Sequence, residues 1–117
     1  MNTSNNMSDK SSDDPVDQLI FDHNLRAKTV ISDKDLDVFL ILFSNGQVLK
    51  ARLSDYPKLK NATKEELDDW RLIKKGIGIR WDSLDEDISI KGFIKDVALK
   101  NTLRNLTSET GDRVVPV

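Results

Sequence analysis

The chain has 117 residues, no cysteine and a formal net charge of −2 at pH 7. This length predicts a single domain. Without cysteine the chain forms neither disulfides nor thiolate metal sites, as expected of a protein from the reducing cytoplasm. No apolar run approaches the roughly 20 residues of a membrane span, and the N-terminus lacks the pattern of a signal peptide. We therefore expect a cytoplasmic protein that does not contact membranes.

The charge is distributed unevenly along the chain. The net charge is −4 over residues 1–24, +4 over residues 25–80, −3 over residues 81–99 and +1 over residues 100–117. A mildly basic middle between acidic blocks differs from the pattern of a protein held to nucleic acid by its charge. It favours contact with another protein of mixed polarity.

Hydrophobic patterning divides the chain into three parts. Residues 1–18 are almost entirely polar and would bury too little apolar surface to offset the entropy of ordering them. We predict a disordered acidic and polar tail over residues 1–20, a single α+β domain over residues 21–98, and a helical extension or flexible tail over residues 99–117. A core of this size is near the lower limit of independent stability, which favours dependence on a partner.

The clearest local signal is a β-hairpin over residues 38–53, V-F-L-I-L-F-S-N-G-Q-V-L-K-A-R-L. Asn45-Gly46 between two apolar runs favours a two-residue type I′ turn. That register predicts a core face of six apolar residues: Val38, Leu40, Leu42, Leu49, Ala51 and Leu53. A strand over residues 25–31 would complete a three-stranded antiparallel meander.

The opposite face of this hairpin is half apolar and half basic, with Phe39, Ile41 and Phe43 beside Lys50 and Arg52. A solvated face would normally alternate to polar residues. The face is therefore either covered by another segment or a contact surface. In the second case Phe39, Ile41, Lys50 and Arg52 are candidate partner-binding residues.

Helices are predicted in the second half of the chain. Thr63 and Glu66 have the spacing of a capping box, and they would start a helix that carries Trp70 and ends near Gly76. A short strand follows, with three apolar residues on one face: Ile77, Ile79 and Trp81. A last helix is predicted from about Ile90, because four apolar residues share one helical face: Ile90, Phe93, Ile94 and Val97.

An acidic block, W-D-S-L-D-E-D-I-S-I, occupies residues 81–90. Paired carboxylates can act as acid and base or hold a metal, but the calcium-loop spacing is absent and the one histidine, His23, is distant. The favoured interpretation is a strand-to-helix joint, with Ser89 as N-cap and Ile88 and Phe93 as a hydrophobic staple. The positive end of the helix dipole would also stabilise the carboxylates of Asp85, Glu86 and Asp87, which precede the helix start. An exposed acidic joint can dock a basic partner, which adds three candidate partner-binding residues: Asp82, Asp85 and Glu86.

Four segments carry a family resemblance in a fixed order. They are F-S-N-G at residues 43–46, P-K-L-K-N-A-T at residues 57–63, Trp70, and G-I-R-W-D-S-L-D-E-D-I-S at residues 78–89. Over about residues 25–97 the chain resembles the bacterial domain-of-unknown-function family 2442. The structural hallmark comprises Trp70, Gly78, Trp81, Leu84, Asp85, Glu86, Asp87, Ile88 and Ser89.

The resemblance implies a small α+β domain and gives no catalytic residues, cofactor or metal ligands. Members of the family are often encoded beside a small toxin-like protein, which implies a two-protein, toxin–antitoxin-like module. Some members carry a helix-turn-helix after the domain. The roughly 20 residues that follow the domain here are too few for one, which weakens an inference of DNA binding.

These observations lead us to expect a non-enzymatic protein-interaction domain without a cofactor, antitoxin-like or accessory to a toxin-like partner. The expected fold is a small antiparallel sheet packed with two or three short helices. One alternative is a nucleic-acid-associated transcriptional regulator that uses the basic middle of the chain: Lys50, Arg52, Lys74, Lys75 and Arg80. Another is a metal-dependent enzyme built on Asp85 and Asp87. The oligomeric state stays open.

Overall fold

The computed structural model describes residues 13–107, which form two three-stranded antiparallel sheets and four helices. The first sheet contains β1 (Ala27–Asp33), β2 (Val38–Phe43) and β3 (Val48–Ala51), and the second contains β4 (Trp70–Ile73), β5 (Gly78–Trp81) and β6 (Glu86–Ser89). The helices are α1 (Pro15–Asp17, continued by a π-helical turn over Gln18–Asp22), α2 (Pro57–Lys60), α3 (Lys64–Asp68) and α4 (Ile90–Asn105). The α+β class is confirmed.

The Asn45-Gly46 hairpin forms in a register one residue away from the predicted one. Phe43 N donates to Gln47 O at 2.9 Å, and Gly46 N donates to Phe43 O at 2.9 Å. The loop therefore has three residues, with Gly46 at φ +86°, the conformation that closes a turn followed by a bulge. Leu42 pairs with Val48 in place of Leu49.

This register corrects the β2 half of the predicted core face, because a one-residue shift exchanges the side chains that share a face. The predicted core positions Leu49, Ala51 and Leu53 do pack in the core. Phe39 and Ile41 are completely buried and Phe43 is 5% exposed, so the covered alternative is confirmed. Phe39 and Ile41 are consequently wrong as candidate partner-binding residues. The predicted core positions Leu40 and Leu42 instead lie on the opposite face of the sheet.

The core joins the two sheets and α4 through aromatic contacts around Phe39. Its ring makes edge-on contacts with Tyr56, Trp81 and Phe93, at centroid distances of 5.5, 6.0 and 5.3 Å. The indole nitrogen of buried Trp81 donates to Leu67 O at 3.0 Å. Burial of this apolar surface, with the indole nitrogen of Trp81 paired, holds the sheets together.

The helix predicted up to Gly76 is much shorter in the structure. Thr63 and Glu66 form the predicted capping box, but α3 ends at Asp68 and residues 70–73 form β4. Trp70 pairs with Trp81 across the β4–β5 ladder. Strand pairing and burial thus override the local helical signal. The predicted strand before the acidic block forms as β5, in which Ile79 and Trp81 are fully buried. Ile77, predicted on the same face, lies before the strand in a helical conformation.

The N-terminal segment contributes to the core, contrary to the predicted tail over residues 1–20. Ile20 is 1% exposed, and Asp14 and Asp17 pair with lysines of α4. Lys95 Nζ lies 2.6 Å from Asp14 Oδ2, and Lys91 Nζ lies 2.8 Å from Asp17 Oδ1. Residues 1–12 of that predicted tail lie outside the described residues.

The last helix begins as predicted. Ser89 caps α4, and its Oγ accepts a hydrogen bond from Gly92 N at 3.0 Å. Ile88 and Phe93 are both buried in the core cluster, as a staple requires. The helix continues to Asn105, beyond the predicted domain boundary at residue 98, and residues 108–117 lie outside the described residues. Within residues 13–107 no helix is both long and apolar enough to cross a membrane.

Candidate partner-binding site

The acidic block closes the β5–β6 hairpin around the guanidinium of Arg80. Its Nε, Nη2 and Nη1 donate to one carboxylate oxygen each of Asp82, Asp85 and Asp87, at 2.8, 2.9 and 2.8 Å. Arg71 on β4 holds the other side of Asp82, with Nε 2.6 Å from Oδ2. Asp85 has a left-handed backbone, with φ 50° and ψ 50°, which turns the chain into β6.

These contacts favour the charged forms of Asp82 and Asp85. Hydrogen bonds from Arg71 and then Arg80 lower the pKa of Asp82 from 3.8 to about 2. The Arg80 guanidinium also holds the pKa of Asp85 below its usual value. The hydrogen bonds that Arg80 makes to Asp85, Asp87 and Asp82 raise the pKa of the guanidinium. Groups ionised in this way are poorly suited to proton transfer near neutral pH.

A lysine of α2 fastens the same turn from the other side. Lys58 Nζ donates to Asp85 O at 3.0 Å and lies 3.8 Å from Glu86 Oε1. Asp82, Asp85 and Glu86 thus already have cationic partners inside the molecule, although the Asp85 side chain is 86% exposed. Asp85, Glu86 and Asp87 lie in the turn and in β6, directly before α4, and their predicted role at the helix N-terminus stays a prediction.

The apolar hallmark residues belong to the core. Trp81 and Ile88 are buried, and Trp70 and Leu84 pack partly buried against the same cluster. Gly78 permits close packing, because a Cβ there would lie 3.0 Å from Ile73 Cγ1. In the part of the chain described by the structure, no group of three or more His, Cys, Asp or Glu side chains could hold a metal ion.

A groove of about 540 Å³ lies between the end of β3 and the C-terminal half of α4. It contains the predicted candidates Lys50 and Arg52, together with Lys100 and Arg104 from the helix. The remaining lining residues are Leu36, Asp37, Val38, Ala51, Asp55, Tyr56, Asp96, Val97 and Asn101. The structure thus brings Lys50 and Arg52 together with two cations that the sequence analysis assigned to a C-terminal extension.

The charges in this groove differ in how they are satisfied. Lys50, Arg52 and Lys100 form no ion pair with any of residues 13–107, whereas Arg104 Nη1 donates to Asn101 Oδ1 at 2.8 Å. Asp37 accepts hydrogen bonds from Ser54 Oγ at 2.6 Å and Ser54 N at 2.9 Å, which lower its pKa. Lys50, Arg52 and Lys100 are therefore the groove cations that stay available for an external partner.

Tyr56 forms part of the groove wall and stays protonated. Burial raises the pKa of its hydroxyl, and the charge of Asp96 adds to the effect. The Tyr56 hydroxyl lies 3.4 Å from Asp96 Oδ2. The groove therefore combines an apolar floor, a neutral phenol and four cations. One signal for the missed pair was present in the sequence, since Lys100 and Arg104 are separated by four residues and share a helical face.

Fold and groove together define a small α+β domain of two three-stranded sheets, with a basic cleft beside its last helix. The chain belongs to the family described as protein of unknown function, DUF2442, whose family model matches residues 27–97. No curated protein matches it.

Two solved structures share the fold. One is the crystal structure of a protein of unknown function from Rhodospirillum rubrum, with a TM-score of 0.55 and 22% identity over 62% of this chain and 88% of that one. The other is the solution NMR structure of an uncharacterized protein from Chromobacterium violaceum, with a TM-score of 0.58 and 23% identity over 81% of this chain and 85% of that one.

Proposed function

We propose that the protein is a non-enzymatic, cytoplasmic interaction domain whose groove binds an acidic, amphipathic segment of a partner protein. The observation that carries the proposal is the set of cations around the groove, of which Lys50, Arg52 and Lys100 lack an ion pair within residues 13–107. Positive charge around an apolar floor favours a ligand that offers carboxylates and apolar side chains together.

The molecule already contains one interaction of this kind. The first half of α4 is covered by α1, which places Asp14 and Asp17 against Lys91 and Lys95, and the turn that continues α1 buries Ile20 in the core. The second half of α4 repeats the cationic spacing with Lys100 and Arg104, and residues 98–105 are exposed. A partner segment with the chemistry of α1 would therefore suit the groove.

The family resemblance supplies the finer part of the proposal. Members encoded beside a small toxin-like protein suggest that the partner is that neighbour, and that the domain acts as its antitoxin-like or accessory subunit. An acidic segment on the neighbour would then occupy the groove. Charge complementarity of this type mainly sets specificity and the rate of association.

Copurification with the product of the adjacent gene tests this proposal. We expect the tagged wild-type protein to retain the neighbour and the double variant Lys100→Glu/Arg104→Glu to lose it. Lys74→Glu/Lys75→Glu makes the same change in charge on an exposed turn outside the groove, and should retain the neighbour. Failure of the wild type to copurify would overturn the two-protein role, and equal retention by all three proteins would overturn the groove as the binding site.

Nucleic acid is a second candidate ligand, favoured by the same cations. Three carboxylates line the groove with them, Asp37, Asp55 and Asp96, so the net positive charge of the groove is small for a site that must neutralise several phosphates. Binding to duplex DNA or RNA, measured by fluorescence anisotropy, should weaken steeply with salt if several phosphates are neutralised. Absence of binding at low salt would remove this candidate.

A further inference from the structure

The first sheet has an open apolar face on the side away from the core, which we call the outer face. Strand register places Ile31, Leu40 and Lys50 in one row across the three strands, and Thr29, Leu42 and Val48 in another. The alternate residues of β2 point inward and are buried. The outer face also contains Val38, which pairs with Asp33 at the end of β1.

Nothing in residues 13–107 packs the outer face into the core. Val38, Leu40 and Leu42 are absent from the partly buried residues that contact the core cluster. At the two edges, Ile31 and Val48 are 49% and 48% exposed. An antiparallel sheet with a solvated face normally carries polar residues there, so a continuous aliphatic face indicates an interaction surface.

The charges at the corners of the outer face identify its partner. Asp33 lies at the β1 edge. Arg52 directly follows β3 in extended conformation, two residues after Lys50, so the side chains of Arg52 and Lys50 lie on the same face of the sheet. A two-fold axis parallel to the strands, between two facing sheets, places β1 of one copy opposite β3 of the other. Asp33 of each copy then faces Arg52 of the other, and Leu40 faces Leu40.

We propose that the outer face binds a second copy of this chain in such a two-fold, face-to-face sandwich. A two-fold interface requires a surface complementary to itself, and aligned packing of two sheets keeps their strands within about 30° of each other. The outer face satisfies the first condition because its acid and its bases occupy opposite edges of an aliphatic centre. The dimer does not depend on the proposed function, although Val38, Lys50 and Arg52 border both surfaces.

Sedimentation velocity over a wide range of protein concentration tests the apolar part of the interface. The wild type should dimerise as concentration rises, and Ile31→Lys/Val48→Lys should stay monomeric. Leu99→Lys/Leu103→Lys is the matched control, because these α4 residues are 57% and 52% exposed and lie outside the sheet. A wild type that is monomeric throughout, or a dimer that survives the outer-face changes, would overturn the proposal.

Charge reversal tests the two-fold axis. Asp33→Arg alone and Arg52→Asp alone should each weaken the dimer at least tenfold, since each homodimer then contains two like-charge contacts. An equimolar mixture of the two variants should restore it, because every contact in the mixed dimer pairs Arg with Asp.

Asp33 Oδ1 also accepts a hydrogen bond from Leu36 N at 2.9 Å, so circular dichroism must first show that Asp33→Arg is folded. Asp33→Asn can keep this hydrogen bond while losing the charge, and it serves as a second variant. Absence of rescue in the mixture overturns the arrangement. Lys100→Glu/Arg104→Glu should dimerise like the wild type, which separates failure of the dimer from failure of the groove.

Discussion

Arg80 shows at the scale of one residue why the acidic block is structural. A single planar guanidinium offers donors in three directions, and three carboxylates from the turn and from β6 accept them. This arrangement requires an arginine, because a lysine ammonium is a point charge on a flexible stem and does not reproduce the planar fork of the guanidinium. The block thereby joins β5 to β6 and leads the chain into α4.

Arg80→Lys should lower the midpoint of urea unfolding even though it preserves the charge, since a lysine ammonium does not reproduce the planar fork that bonds three carboxylates at once. Lys64→Met is the control, because it removes only an isolated pair between Lys64 and Asp68, spaced four residues apart on α3. Exposed pairs of that kind contribute little to stability. A midpoint for Arg80→Lys as high as that of Lys64→Met would contradict a stabilising role for the cluster.

Gly76 is a second residue whose identity is required by backbone geometry. Its φ is +96°, and a Cβ there would lie 2.8 Å from Ala27 O. Gly46 has φ +86° but nothing within 4 Å of its Cβ position. Gly46→Ala should therefore cost about 1 kcal/mol for the left-handed backbone alone, and Gly76→Ala clearly more, in the free energy of unfolding measured with urea. Equal losses would contradict the close approach of β1.

At the scale of elements, α4 depends on signals at its start and on α1 along its first half. The N-cap was predictable from sequence because capping is local: serine followed by an apolar stripe suffices. The packing of α1 against α4 was not predictable from sequence, because Asp14 and Asp17 look like part of a polar tail. Their partners, Lys91 and Lys95, lie more than seventy residues later in the chain.

Removing the cap tests the start of α4. Ser89→Ala should destabilise the protein by about 1 kcal/mol, because Gly92 N would lose its acceptor in the first turn. Ser83→Ala is a suitable control, since Ser83 is exposed in the preceding turn and makes no side-chain hydrogen bond within residues 13–107. Chemical denaturation of both variants measures the difference. A cost for Ser89→Ala no larger than for Ser83→Ala would exclude a stabilising cap.

The stability that the Asp14 ion pair gives to the packing of α1 against α4 should depend on pH in the acid range. Hydrogen bonds from Lys95 and Val16 N lower the pKa of Asp14 from 3.8 to about 2. A folded-state pKa below the unfolded value stabilises the folded state at pH values above 3.8, and this contribution disappears as the pH falls towards 2. The stability difference between wild type and Asp14→Asn should thus be constant near neutral pH and should shrink in that acid range.

Unfolding curves at several pH values measure this difference. Asp35→Asn provides the control, because Asp35 is exposed and its side chain has no hydrogen bond or ion pair among residues 13–107. A difference between wild type and Asp14→Asn that grows as the pH falls would contradict the ion pair.

At the scale of the whole molecule, the two sheets meet around Phe39, and this is where sequence reasoning failed most. The meander was predictable because each strand and the Asn45-Gly46 turn are marked locally. Which face of the hairpin is buried was not predictable, because a loop of two or of three residues fits the same sequence. Only packing against Trp81 and Phe93 selects between the two registers. The second sheet was missed for a related reason, since Trp70 becomes a strand residue only through pairing with Trp81.

The same long-range packing creates the groove. Lys50 and Arg52 were predicted as candidates, but Lys100 and Arg104 join them only because α4 passes the end of β3. Sequence could not show this proximity, since the helix direction is set by the core contacts of Phe93 and not by any feature of residues 98–105. The groove is therefore a property of the assembled domain.

The most direct test of the proposed function is the dissociation constant for the product of the adjacent gene, measured by isothermal titration calorimetry at low and moderate salt. We expect measurable binding by the wild type, weaker at the higher salt because charges are screened. We also expect at least tenfold weaker binding by Lys100→Glu/Arg104→Glu, with Lys74→Glu/Lys75→Glu close to the wild type. Equal affinities for all three proteins, or no binding by the wild type, would contradict the proposed function.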